Sequence, residues 1–193
     1  MEKLYHTEKI WTIQNFLSKE ECGDLILLSE NIGYNEAEVS LSTGAKMMKG
    51  LRNNSRVIYN DKELALKLWE KLEAFCPNEI EDSFSIGLNE QFRFYKYELN
   101  QRFKRHIDGS FVKNDLEQSR ITFMIYLNDN FQGGETKFDE IVITPKLGDA
   151  LFFIHELKHE GCPVKNGIKY ALRSDVMYKK NQTTIQFGKT VLF

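Results

Sequence analysis

Apolar residues recur with a helical period at two places in the first half of the chain. In "KIWTIQNFLSKEECGDLILLSENIG" a short strand precedes a helix, which Ser18 and Glu21 begin as a capping box. The segment "DKELALKLWEKLEAF" predicts a second helix, with Asp61 as its N-cap. Its apolar face comprises Leu64, Leu68, Trp69 and Leu72. Residues 34–60 lie between these helices, and their polar, irregular sequence predicts a loop that covers a site.

From about residue 90 the period of the apolar positions changes to two, which is typical of strands. In "SRITFMIYLN" one face carries Ile121, Phe123, Ile125 and Leu127, and the other carries Thr122, Met124, Tyr126 and Asn128. The first face suits a hydrophobic core and the second suits the lining of a pocket. Further short strands are predicted in "EQFRFYKY", "GDALFFI" and "KYALRSDVMY".

The order of these elements predicts a mixed α and β chain, with helices packed outside a β-sandwich or jelly roll. A chain of 193 residues can bury one such core, so we expect a single domain over residues 1–193. Residues 1–87 would be mainly helical support and a candidate lid, and residues 88–193 would form the jelly-roll core.

Charge and composition narrow the class of partner. The formal net charge of −2 argues against a nucleic-acid binder, and no apolar stretch has the length of a membrane span. Three widely spaced cysteines, Cys22, Cys76 and Cys162, are typical of reduced thiols. The start of the chain lacks the apolar core of a signal peptide, so we expect a cytoplasmic protein.

The candidate chemistry begins in "RFKRHIDGSF", where His106 and Asp108 are two residues apart. Side chains at i and i+2 leave the same side of a strand, so both could reach one metal ion. Two histidines and one carboxylate on one face form the iron site of non-haem oxygenases. The third ligand would be His155 or His159, since His6 lies near the start of the chain, and composition does not choose between them.

Five sequence blocks give the chain a resemblance to a known family. They read "FYKYELNQRFKRHID", "IYLN", "GGETKF", "TPKLGDALFF" and "HEGCPVKNGIKY", in this order. The chain thereby resembles the 2-oxoglutarate- and Fe(II)-dependent dioxygenases of the prolyl 4-hydroxylase type. The resemblance covers most of the chain, with a looser match at "FLSKEEC". It implies a double-stranded β-helix (jelly-roll or cupin-like) core with N-terminal supporting helices.

The resemblance implies a ligand set. It selects His159, because "CPV..G.K" follows that histidine, so the metal ligands would be His106, Asp108 and His159. It also implies Fe(II), 2-oxoglutarate and O₂, with ascorbate as the expected reductant. Because a carboxylate occupies the middle ligand position, hydroxylation is favoured over halogenation. No separate acid or base is assigned, since the iron centre carries the chemistry.

The same resemblance places the distal carboxylate of 2-oxoglutarate on Lys169, with Tyr126 as a hydroxyl donor and Tyr97 as a pocket wall. Arg173 competes with Lys169, because both side chains leave the same strand face, about 13 Å apart. Arg173 could instead hold the substrate or pair with Asp175.

The residues alone do not identify the substrate. The resemblance implies hydroxylation of a prolyl or other residue of a peptide or protein. A free amino acid or small metabolite is an alternative, and a non-catalytic module that binds metal or an oxo acid is an alternative of another class. Arg52, Arg56 and the basic run Arg102, Lys104 and Arg105 could bind an acidic substrate or could be solvated. No membrane or nucleic-acid partner is expected, and the oligomeric state is not predicted.

Overall fold

The computed structural model describes residues 1–36, 39–41, 44–46 and 50–181. Both predicted helices are confirmed: α1 (Lys19–Ile32) and α2 (Lys62–Leu72), which a 3₁₀ turn (Glu73–Phe75) follows. Ser18 and Glu21 form the expected capping box, and the Asp61 carboxylate accepts from the backbone of Leu64. No helix among the described residues has the length and apolar character needed to cross a membrane.

The strands of the described residues follow in chain order. They are β1 (Glu2–Thr7), β2 (Ile10–Gln14), β3 (Asn35–Glu36), β4 (Val39–Leu41), β5 (Gly44–Lys46), β6 (Ser55–Asn60), β7 (Glu79–Ile80), β8 (Ser83–Leu88), β9 (Gln91–Tyr97), β10 (Phe103–His106), β11 (Glu117–Tyr126), β12 (Gln132–Gly133), β13 (Thr136–Lys137), β14 (Val142–Ile143), β15 (Ala150–Ile154), β16 (His159–Gly161), β17 (Val164–Asn166) and β18 (Lys169–Lys180).

One large antiparallel sheet carries most of these strands, in the order β1-β2-β15-β11-β18-β9-β6-β3. The long strand β18 pairs with β11 along one side, and with β9 and then β8 along the other. A smaller sheet has the order β10-β16-β13-β14. Two further pairs, β12-β17 and β4-β5, complete the described strands.

The two faces of β11 separate the core from a pocket, as its alternation predicts. Ile121, Phe123 and Ile125 are fully buried in the main hydrophobic core, where they share a cluster with Leu68 and Leu72 of α2. Thr122 and Met124 point the other way and line a pocket between the two sheets. The helices therefore cover one face of the large sheet, and the small sheet covers part of the other.

The N-terminal part contains more strand than its sequence predicts. Among its described residues, helices occupy 19–32 and 62–72, while β1 and β2 form a hairpin that extends the large sheet. The prediction of a loop over 34–60 is wrong for Ser55–Asn60, which pairs with β9. Val57 is the one fully buried apolar residue of this strand, so no clear alternation marks it. Residues 37–38, 42–43 and 47–49 of the candidate lid lie outside the described residues.

Gly148 fixes the approach of α1 to the sheet. Its carbonyl accepts from the backbone of Leu17, just before the helix, and its φ of +77° lies in the left-handed region. A Cβ atom at this position would lie 2.1 Å from the Leu17 carbonyl oxygen. The helix therefore approaches the sheet at a distance that only glycine permits.

We predict that Gly148→Ala lowers the free energy of unfolding by more than about 2 kcal/mol, because a strained φ and a backbone clash coincide. Gly23→Ala is the matched control: Gly23 lies within α1 with open space around it, so alanine should raise stability by about 0.5–1 kcal/mol. Urea unfolding followed by circular dichroism measures both. If the Gly148→Ala variant were as stable as the wild-type protein, the role given to the contact between Gly148 and Leu17 would be contradicted.

Candidate metal and cosubstrate site

Strand pairing in the small sheet brings two histidines together. His106 ends β10 and His159 begins β16, and the two residues are Cα partners in the antiparallel register. Their ring centroids are 4.3 Å apart. The Nε2 atoms of His106 and His159 lie 3.5 and 3.6 Å from the two carboxylate oxygens of Asp108. Ligand atoms of these three residues all lie within 4.8 Å of one another, so the group could hold a metal ion.

Backbone carbonyls orient both rings. His106 Nδ1 lies 2.8 Å from the carbonyl of Lys104, and His159 Nδ1 lies 3.0 Å from the carbonyl of Leu157. A carbonyl can only accept, so each Nδ1 carries the proton and each Nε2 keeps its lone pair. This tautomer leaves both Nε2 atoms free to bind a metal. Burial lowers the pKa of His159 to about 4, which favours the same neutral ring.

Asp108 is buried among Arg173, the two imidazole rings and the hydroxyl group of Thr122. Burial raises the pKa of its carboxyl, but Arg173 and the two histidines hold it well below the usual range. Arg173 Nη1 lies 3.2 Å from Oδ1, and the Thr122 hydroxyl donates to Oδ2 at 2.7 Å. Asp108 is therefore an ionised group that Arg173 and Thr122 hold in one orientation.

His155 does not join the metal-binding group in the structure. Its Nδ1 lies 2.9 Å from the Thr122 hydroxyl, and its Nε2 lies 2.8 Å from the Ser119 hydroxyl. Because Thr122 gives its only proton to Asp108, His155 Nδ1 must donate to Thr122, and Nε2 must accept from Ser119. Burial lowers the pKa of His155, which is consistent with a neutral ring that links Ser119 and Thr122 to Asp108.

Lys169 lies deep in the pocket between the sheets, in the first position of β18. Its Nζ donates to the carbonyl of Gly134 at 2.6 Å, and lies 5.4 and 5.2 Å from the ring centroids of Tyr97 and Tyr126. Within the part of the chain that the structure describes, no carboxylate forms an ion pair with it. Burial lowers the pKa of Lys169 to about 8.

Two tyrosines and a threonine lie around this lysine. Tyr97 lines the pocket, while the fully buried Tyr126 shares a hydrogen bond of 2.8 Å between its hydroxyl and that of Thr136. Thr136 also lines the pocket. The chain therefore places hydroxyl groups beside a buried ammonium, which is a suitable environment for a carboxylate.

Arg173 lines the same pocket as Lys169 but has carboxylate partners of its own. Besides Asp108, it contacts Asp175, whose Oδ1 lies 2.9 Å from Arg173 Nη2. Arg93 binds the other oxygen of Asp175 at 2.9 Å. Arg173 thus belongs to a line of alternating charges at the metal-binding group, whereas Lys169 lies apart from it.

Sequence reasoning missed several residues of this site. Thr136 lies in the block "GGET", which reads as a turn, although that block is part of the family resemblance. Phe103 stacks on His106 with ring centroids 3.5 Å apart, and Phe153 packs against His159. The sequence names Arg52 as a candidate contact for an acidic substrate, but it gives no signal that this side chain is buried. The contacts of Thr136, Phe103 and Phe153 have no signal in spacing or composition.

Comparison with known proteins supports the resemblance that the sequence blocks indicate. Residues 92–174 match the model of the 2OG-Fe(II) oxygenase superfamily. Two proteins of Arabidopsis thaliana, "Probable prolyl 4-hydroxylase 3" and "Probable prolyl 4-hydroxylase 8", are each 26% identical to it. These alignments cover 88% and 89% of this chain, and 69% of each relative.

Solved structures share the fold. The 2OG complex of the viral collagen prolyl hydroxylase from Paramecium Bursaria Chlorella virus-1 superposes with a TM-score of 0.62 and 22% identity, over 89% of this chain and 97% of its own. A prolyl hydroxylase from Trichoplax adhaerens, in complex with a hypoxia inducible factor peptide fragment, has a TM-score of 0.69 and 18% identity. That match covers 95% of this chain and 89% of the other.

The predicted double-stranded β-helix with supporting helices is therefore confirmed. The resemblance is confirmed as well: residues 92–174 match the 2OG-Fe(II) oxygenase superfamily, and relatives that align with most of the chain are named as prolyl 4-hydroxylases. The matched superfamily implies Fe(II), 2-oxoglutarate and O₂.

Proposed function

We propose that this enzyme hydroxylates an unactivated C–H bond of a prolyl residue in a peptide or protein. The observation that carries the proposal is the convergence of His106, Asp108 and His159 beside the buried Lys169 in one pocket. The two relatives and the two solved structures compared above are named as prolyl hydroxylases, and one of those structures is bound to a peptide fragment.

The three side chains fit an iron ion. Two neutral imidazoles and one carboxylate are the donor set of non-haem Fe(II) oxygenases, which leaves further coordination positions open. The backbone carbonyls behind each ring fix the tautomer, and Thr122 and Arg173 fix the carboxylate. When bound, iron and 2-oxoglutarate together with O₂ supply the oxidising power, and the protein binds and orients the reactants.

We assign the distal carboxylate of 2-oxoglutarate to Lys169. The ammonium is buried and accompanied by the Tyr126 and Thr136 hydroxyls, and Tyr97 forms a wall of the pocket. Arg173 is less suited to this role, because it is already engaged with Asp108 and Asp175. The proposal also includes ascorbate as the reductant, a cytoplasmic location and a single domain over residues 1–193.

A free amino acid or small metabolite is a second candidate substrate. The observation in its favour is a group of arginines around a pocket beside the metal-binding residues, since these side chains could hold a small carboxylate. A non-catalytic binding module would use the same residues without turnover, so the assay below separates it from an enzyme.

We predict that the protein, incubated with Fe(II), ascorbate, O₂ and 2-oxoglutarate, forms succinate, and that a prolyl peptide gains the mass of one oxygen atom. Asp108→Ala should abolish both products, because it removes a proposed metal ligand. Exposed Lys104→Ala is the control and should retain both. Mass spectrometry of the peptide and of succinate measures the result. Metal binding without succinate under any condition would favour the non-catalytic module.

We predict that Lys169→Ala raises the 2-oxoglutarate concentration for half-maximal succinate formation about 10–100-fold, because a charged hydrogen bond to the cosubstrate is lost. Exposed Lys165→Ala on β17 is the matched control, and Arg173→Ala should raise this concentration far less. A larger effect from Arg173→Ala would transfer the assignment to that arginine.

The lowered pKa of Lys169 predicts that 2-oxoglutarate binding depends on pH. The pKa of Lys169 in the free enzyme is about 8, so the ammonium loses its proton above this pH and its attraction for a carboxylate falls. The half-maximal 2-oxoglutarate concentration should therefore rise above pH 8, approaching tenfold per pH unit, and stay level just below it. A level profile up to pH 10 would contradict a charged Lys169 as the cosubstrate contact.

A further inference from the structure

A second pocket, of about 300 Å³, adjoins the metal-binding residues, and Lys169 is not among the residues that line it. It shares His106, Asp108 and Arg173 with the metal site, so a molecule in it would lie directly beside the ion. The loop after Asp108 supplies Gly109, Ser110 and Phe111 to its wall. Four arginines also line it: Arg52, Arg56, Arg93 and Arg173. This position and charge make it a candidate substrate pocket.

Most of the charge in this region is balanced within the protein. Arg93, Asp175, Arg173 and Asp108 form a line in which positive and negative groups alternate, at contact distances of 2.9–3.2 Å. Each carboxylate therefore has at least one cationic partner. Arg52 is different, since it forms no ion pair with any carboxylate of the described residues.

Arg52 is nevertheless buried, with 4% of its surface exposed. Its Nε donates to the amide oxygen of Asn54 at 2.6 Å, and its guanidinium carbon lies 4.6 Å from the ring centroids of both Tyr95 and Phe103. These contacts fix the plane of the guanidinium group. Its Nη2 is buried and finds no hydrogen-bond partner among the described residues.

A buried donor on a fixed cation is costly unless a ligand satisfies it. The direction of the pKa shift of Tyr95 is consistent with a positive potential beside Arg52. Burial alone would raise the pKa of the Tyr95 phenol, yet Arg173, Arg52 and Arg93 together lower it below its ordinary value. An uncharged substrate would leave this excess positive charge uncompensated.

We propose that the substrate carries a carboxylate which binds Arg52 in this pocket, next to the carbon that is hydroxylated. The inference rests on the proposed hydroxylase function and specifies its substrate class. A planar guanidinium matches a carboxylate with paired N–H donors, which a lysine would not provide.

The geometry limits where that carboxylate can lie in the substrate. One aromatic ring, Phe103, separates Arg52 from His106: the ring stacks at 3.5 Å on the imidazole and lies 4.6 Å from the guanidinium carbon. The carboxylate and the reacting carbon must therefore belong to the same residue or to neighbouring residues. The source is a chain-terminal carboxylate or an acidic side chain adjacent to the target proline.

Three proline probes test this inference without altering the protein. The neutral probe is acetyl-Gly-Pro-Gly-amide, the side-chain acid is acetyl-Gly-Pro-Asp-amide, and the terminal acid is acetyl-Gly-Pro with a free carboxylate. We expect at least one acid probe to be hydroxylated with a kcat/KM at least tenfold above that of the neutral probe. The better acid probe identifies the source of the carboxylate.

Variants then locate the contact. Arg52→Gln should remove the preference for the acid probe, and Arg52→Lys, which keeps the charge but loses the planar fork, should retain part of it. Arg102→Gln is the matched control, because Arg102 is exposed and lies outside the pocket, and it should retain the full preference. Circular dichroism of each variant identifies any loss of fold, and the comparison between probes on the wild-type protein does not depend on the variants.

The results distinguish a failure of the carboxylate inference from a failure of the proposed hydroxylase function. Succinate formation with equal use of all three probes, or a preference for the neutral probe, would overturn the carboxylate inference and leave the hydroxylase function intact. An acid preference that survives in Arg52→Gln would overturn the assignment to Arg52. The absence of succinate with and without every probe would instead contradict the hydroxylase function, and the inference that rests on it.

Discussion

The antiparallel register between β10 and β16 is the constraint on which the site depends. It sets His106 directly opposite His159, and the turn of the chain after β10 returns Asp108 to the space between them. A shift of one residue would turn one imidazole to the other face of the small sheet. The large sheet supplies the rest of the pocket from β9, β11 and β18. The placement of the two histidines is therefore a property of strand pairing, and the turn after β10 adds the carboxylate.

Asp108 joins the metal-binding group to the charged residues around it. Its carboxylate contacts Arg173, which contacts Asp175, which contacts Arg93. Its other oxygen accepts a hydrogen bond from Thr122, whose hydroxyl is in turn bonded to His155. This arrangement keeps a buried carboxylate ionised, because Arg173 pairs with it and the Thr122 hydroxyl donates to it. The two buried cations, Lys169 and Arg52, have no carboxylate partner among the described residues. Lys169 lines the pocket that contains the three metal-binding residues, and Arg52 lines the pocket that adjoins it. Their positions divide the cavity into a cosubstrate end and a substrate end in the proposed function.

The sequence predicts the parts of this molecule that depend on local periodicity or on a recognisable motif. Alternation in β11 separates the core face from the pocket face, and Ser18 and Asp61 mark the helix starts. Residues alone left His155 and His159 as equal candidates, and a family resemblance was needed to choose. The pairing of Arg173 with Asp175 is one of the alternatives that the sequence leaves open. The burial of Arg52, the contact of Arg173 with Asp108 and the contact of Thr136 with Tyr126 could not be predicted, because each joins different segments of the chain that come together only on folding.

The metal-binding group is the central claim, and the affinity for Co(II) under anaerobic conditions tests it most directly. Isothermal titration calorimetry of the wild-type protein should give one ion per chain. His159→Ala should lose measurable binding, whereas His155→Ala should stay within about tenfold of the wild-type affinity, because His155 acts through Thr122. Loss of binding in His155→Ala with wild-type affinity in His159→Ala would contradict the account.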